Sequence, residues 1–122
     1  QLLARTAYSA SAQPTRSERG TEYEVFAAVT RRMIFAHEGG KRRFRALVQA
    51  LYENRKLWTV LAADVAVEDN GLPDALRAQI LSLAEFTQSH SSKVLAGKAD
   101  AAVLIEINTS IMKGLRQKVE NP

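Results

Sequence analysis

ENRKLWTVLAAD, residues 53–64, is the stretch whose reading decides the fold. It holds the chain's one tryptophan, and Trp58, Leu61, Ala62 and the following Val65 recur at offsets of three, four and seven. That period marks one face of an amphipathic helix, where a strand would alternate by two. Downstream, LPDALRAQILSLAEF, residues 72–86, repeats the pattern behind Pro73. Proline suits the first helical turn, because its missing N–H has no partner there in any case. EDNG, residues 68–71, reads as the turn between the two. Two helices with one apolar stripe each must bury those stripes against something, which points to an all-α fold.

Outward from this pair the pattern continues. Upstream, Phe44, Leu47, Val48 and Leu51 extend the same stripe, with Tyr52 on its edge, so the helix is expected from about Lys41 to about Ala66. An earlier helix is expected from about Ser17, after Pro14, with a stripe of Tyr23, Phe26, Thr30, Met33 and Ile34 widened by Val29. Gly39 and Gly40 end it, since glycine readily takes the left-handed C-terminal conformation. Past residue 72, Leu76, Ile80, Leu83, Ala84 and Thr87 form a third stripe, flanked by Leu81 and Phe86 and closed by Gly97. Asp100 is a good N-cap for a fourth helix carrying Val103, Leu104, Ile107, Ile111 and Leu115. Strand signals are nearly absent. The expected architecture is a small antiparallel helical bundle of about four helices with a flexible N-terminal arm. Residues 1–14 are assigned to the arm, 15–116 to a single helical domain and 117–122 to a frayed tail. Residues 1–6 are read as foreign sequence or a processed end.

At 122 residues, with 46% apolar and 25% charged residues, the chain is one ordinary globular domain. It has no cysteine, which suits a reducing compartment and a cytoplasmic location. No apolar run approaches the roughly 20 residues that a membrane span needs, so no membrane insertion is expected. The apolar run at the N-terminus is too short for a signal peptide. The net charge of +4 is uneven: up to Ala66 the balance is +5, and from Val67 onward it is −1. Lys41, Arg42, Arg43 and Arg45 form an electrostatic patch that could meet phosphates or an acidic partner. A solvated helix start is the commoner role for such a cluster.

Catalytic and metal constellations are missing from the pattern. His37 and His90 are the only histidines, and no further ligands fall at metal-binding spacing. The serines lack a GxSxG elbow, and the glycines follow no phosphate-loop or dinucleotide pattern. Asp64, Glu85 and Glu106 fall on three different helices, where salt-bridge roles are the usual ones. No cofactor, no metal and no enzymatic activity are expected.

Binding is the remaining possibility. Asn54 and Arg55 interrupt the apolar stripe between Leu51 and Trp58. Such a polar pair either hydrogen-bonds another helix or marks an exposed groove. Trp58 is by frequency a core residue, yet Leu57, Trp58 and Leu61 cover more than one side of the helix, and tryptophan is enriched at interface hot spots. Asn54, Arg55, Leu57, Trp58 and Leu61 are therefore the candidate partner-binding residues.

Four segments in order carry a resemblance. AYSASAQPTRSERGTEYEVFAAVTR (residues 7–31), ENRKLWTVLAADV, LPDALRAQILSLAEF and VLAGKADAAVLIEINTSIMKGL (residues 94–115) together resemble the FlaF family of bacterial flagellum biogenesis. The resemblance implies a cytoplasmic factor that binds flagellin as a secretion chaperone or adaptor. It further implies promotion of flagellin synthesis, export and filament assembly, in opposition to FlbT, a post-transcriptional repressor. Flagellin is the partner so implied, with FlbT as a further one. The alternative is a post-transcriptional regulator that binds FlbT or flagellin mRNA directly. RNA is the weaker partner: only Phe44 interleaves the basic cluster, and no RNA-module motif is present.

Overall fold

Four helices account for almost all of the described chain. The structure, a computed structural model, describes residues 17–67 and 71–120, with side chains over 23–67 and 71–114. Helix α1 spans Ser17–Gly39, α2 Phe44–Ala66, α3 Asp74–Leu95 and α4 Ala102–Glu120, with a 3-10 turn at Gly40–Arg43 between α1 and α2. Among the described residues there is no strand. The all-α expectation holds. The expected arm lies outside the described residues, and the backbone of α4 continues to Glu120, beyond the boundary placed at residue 116.

The connections show why the helices stop where they do. Gly40 adopts φ 60, the left-handed region, and turns the chain out of α1. Arg43 then reaches back: its Nη1 donates to the Phe35 carbonyl at 2.7 Å, and its guanidinium lies 3.9 Å from the centre of the Phe35 ring. It caps a last-turn carbonyl of α1 and runs so close to Gly39 that a Cβ there would collide with it. Lys41, Arg42 and Arg43 therefore belong to this connector, and α2 starts at Phe44, three residues later than the periodicity suggests. At the end of α3, Gly97 has φ 76. The Lys98 N–H donates to the Lys93 carbonyl at 2.9 Å and the Gly97 N–H to the Val94 carbonyl at 3.0 Å. This double closure is the Schellman arrangement. Asp100 acts as anticipated, its Oδ1 accepting from the Ala102 N–H at 2.9 Å.

The helices run up and down in turn. Phe26 meets Trp58 edge-on across α1 and α2, while Arg32 pairs with Glu53 at 2.8 Å. Across α2 and α3, the Gln88 Nε2 donates to the Arg55 carbonyl and Arg77 Nε to the Val65 carbonyl. α1 packs against α2 and α4, and α2 packs against α3, but α3 and α4 approach each other at only a few positions. The interior has two apolar clusters. One gathers Phe26, Val29, Leu57, Trp58, Val65, Ile80 and Ala84; the other gathers Met33, Ala50, Leu51, Val94 and Leu104.

Candidate interaction surface

Between the two apolar clusters lies a polar layer. Every buried polar residue among those described, namely Thr30, Asn54, Thr87, Ser91 and Asn108, falls in sequence between members of the upper and lower clusters of its own helix or beside them. Trp58 Nε1 donates to Asn108 Oδ1 at 2.9 Å. Asn108 Nδ2 donates to Asn54 Oδ1 at 2.8 Å and to Thr30 Oγ1 at 3.1 Å. One side chain of α4 thus ties α1 to α2, reaching a helix whose backbone it does not approach. On α3, Ser91 Oγ donates to the Thr87 carbonyl at 2.7 Å. Asn54 Nδ2 and Thr87 Oγ1 are buried with no hydrogen-bond partner.

This layer decides the fate of the residues that the sequence suggested for partner binding. Asn54, Leu57 and Trp58 are fully buried. Leu61 packs against the apolar cluster around Trp58. Arg55 is half-buried, with Nη2 donating to the Gln88 carbonyl at 2.7 Å and to Ser92 Oγ. In the free chain these residues pack or bond α2 to α1, α3 and α4. Of the two roles open to Asn54 and Arg55, hydrogen bonding to other helices is the one realised. The physical reason is that other helices supply partners for the pair: Asn108 of α4 donates to Asn54 Oδ1, and the Gln88 carbonyl and Ser92 Oγ of α3 accept from Arg55. Asn108 was legible in principle, because it interrupts the stripe of Leu104 and Ile111 just as Asn54 interrupts that of Leu51 and Trp58.

The basic patch is divided. Lys41, Arg42 and Arg45 are exposed, whereas Arg43 is spent on Phe35. His90 Nε2 donates to the Asp100 carbonyl at 3.0 Å and its ring stacks on Phe86, which gives it a structural role at the end of α3. Among the described residues no group of histidine and carboxylate side chains is arranged to hold a metal ion, and no helix is long and apolar enough to cross a membrane.

Apolar surface is present, though one flank away from the expected place. The periodicity places Phe44 and Val48 in the buried stripe of α2 and Tyr52 on its edge, yet they are 50%, 39% and 58% exposed. They recur every four residues, so they share one face. The combined stripe from Phe44 to Tyr52 spans more of the helix circumference than one neighbouring helix covers, and its outer margin is left in solvent. On the opposite flank of α2, a cleft of about 440 Å³ opens toward α1, lined by Ala28, Arg31, Phe35, Ala46 and Gln49 among others. Its rim is knitted together by Glu53, which accepts from Arg32 at 2.8 Å and from Gln49 at 3.1 Å.

The described chain is thus a small up-and-down helical domain with a polar waist, a basic connector and an uncovered apolar flank. Residues 4–115 match the family described as flagellar protein FlaF, and the chain belongs to that family. Its role is accordingly a flagellar one. The match begins at residue 4, so residues 4–6, read from the sequence as foreign or as a processed end, fall inside the family's span. No curated protein and no solved structure matches the chain.

Proposed function

We propose that this chain is a flagellum biogenesis factor that binds flagellin as a secretion chaperone or adaptor and promotes its synthesis, export and filament assembly, acting in opposition to FlbT. Membership of the FlaF family carries this reading. Physical chemistry supports the chaperone part. An isolated amphipathic helix is marginal in water and exposes an aggregation-prone face. A stable bundle that keeps large apolar side chains in solvent beside exposed cations has surface to offer to such a segment.

The test is co-purification with flagellin and with FlbT, together and apart. Flagellin is expected to be retained by the chain in the absence of FlbT. Retention of FlbT alone, with flagellin lost in both arrangements, would replace the chaperone with an adaptor that acts through FlbT. Exposure of Lys41, Arg42 and Arg45 favours a second reading, direct contact with flagellin mRNA. A gel shift at two salt concentrations checks it: RNA binding through those cations must weaken steeply as salt rises.

A further inference from the structure

We propose that the outer flank of α2 over Phe44, Val48 and Tyr52 is a docking surface for one amphipathic helix whose apolar stripe is bordered by acidic side chains. The inference deepens the chaperone reading by placing a helix-binding site on the molecule. It does not require that the helix come from flagellin.

The three side chains lie at i, i+4 and i+8 and so run about 12 Å along the helix axis, a little over two turns. That length and spacing match the anchor pattern by which one helix lies along another. The other exposed apolar residues make no such line. Leu76, Leu81 and Phe86 on α3 are five residues apart, which turns each about 140° from the last.

Charge around the stripe selects the occupant. At about 100° per residue, Arg45 and Lys56 border its outer edge, and Lys41 and Arg42 stand exposed at its N-terminal end. Lys56 Nζ lies 5.9 Å from the centre of the Tyr52 ring. Glu53 and Asp64, the carboxylates of α2, fall on the far side of the helix, and Glu53 is already engaged by Arg32. Of the charged residues of α2 and its connector, it is therefore the cations that border the flank. A second copy of this chain seated on it two-fold symmetrically would set that basic border against itself. A helix bordered by Glu or Asp would meet complementary charge along the outer edge and at the N-terminal end. An anionic bilayer also offers negative charge, but a surface-lying helix buries a long continuous apolar face, whereas most of the apolar face of α2 is consumed by α1 and α3.

The experiment measures fluorescence anisotropy of two labelled synthetic helices against the full chain. Both peptides carry the same leucine stripe, bordered by Glu in one and by Lys in the other. The Glu peptide is expected to bind at least about tenfold more tightly, with an advantage that shrinks as salt rises. Val48→Glu and Tyr52→Glu should each weaken it by about tenfold or more, and Lys56→Glu by less, while Leu81→Glu on α3 leaves it unchanged. Because these positions are exposed, unchanged circular dichroism and melting temperature confirm that the variants are folded. Equal binding of the two peptides, or binding untouched by Val48→Glu and Tyr52→Glu, overturns the proposal. So does a dimer in sedimentation that Val48→Glu dissolves, or binding to phosphatidylserine vesicles that Val48→Glu abolishes while the Glu peptide fails to bind. If the Glu peptide binds as expected but purified flagellin does not, the surface stands and flagellin as its occupant falls.

Discussion

Two sides of one helix, α2, were solved by opposite means. Its inner side carries Asn54 in the middle of an apolar face, and the fold answers with Asn108, Trp58 and Thr30. Its outer side carries Phe44, Val48 and Tyr52, and nothing in the described chain covers them. A buried amide left without partners costs about 1–3 kcal/mol, so the Asn54 side-chain oxygen and both ends of Asn108 are paired within the domain, with Asn54 Nδ2 and Thr87 Oγ1 the exceptions. An exposed aliphatic or aromatic residue costs the folded chain little, because it is equally exposed when unfolded. Folding stability therefore polices the inner side and leaves the outer one free for a partner.

That contrast can be broken by mutation. The largest effect is expected at Trp58→Ala. It empties a fully buried site against Phe26 and strips Asn108 of its donor. The loss is about 3–5 kcal/mol, a large part of the total stability of a small domain, read as a collapse of the urea midpoint. Next is Asn108→Ala, which leaves the Trp58 indole N–H and Asn54 Oδ1 unmet. A cost of about 2–4 kcal/mol is expected from the lost hydrogen bonds and the cavity together. If Asn108→Ala melts like the parent, the polar layer does not organise the bundle.

Smaller effects sharpen the same comparison. Thr87→Val exchanges a buried hydroxyl that has no partner for a methyl of the same shape. It is expected to raise stability by about 1 kcal/mol, visible as a higher denaturation midpoint at unchanged slope. Val48→Glu, on the outer flank, should change stability by no more than about 0.5 kcal/mol. A clear destabilisation there would mean that the flank is part of the core after all.

Helix number, order and most boundaries were legible in the residues. Gly40 and Gly97 stop helices because only a residue without a Cβ takes a left-handed turn cheaply, and Asp100 starts one because its short carboxylate reaches the first free N–H. The start of α2 was harder to read. Arg43 folds back onto Phe35 eight residues earlier, a contact between side chain and distant carbonyl that no periodicity encodes. The binding residues were hardest. Leu57 and Trp58 signal importance equally well as anchors for a partner or as core, and helical spacing cannot distinguish the two.

What the sequence by itself determined is the all-α class, the four amphipathic stripes and the membership of the FlaF family, because each rests on residue types at fixed local spacing. What only the tertiary structure decided is which part of each stripe is covered. Asn54 and Asn108 are 54 positions apart and find each other only when α2 and α4 face across the bundle. Once they do, Trp58 is locked inside and Phe44, Val48 and Tyr52 are left facing water. Burial depends on where neighbouring helices come to lie, and a linear pattern carries the period of a face without the identity of whatever covers it.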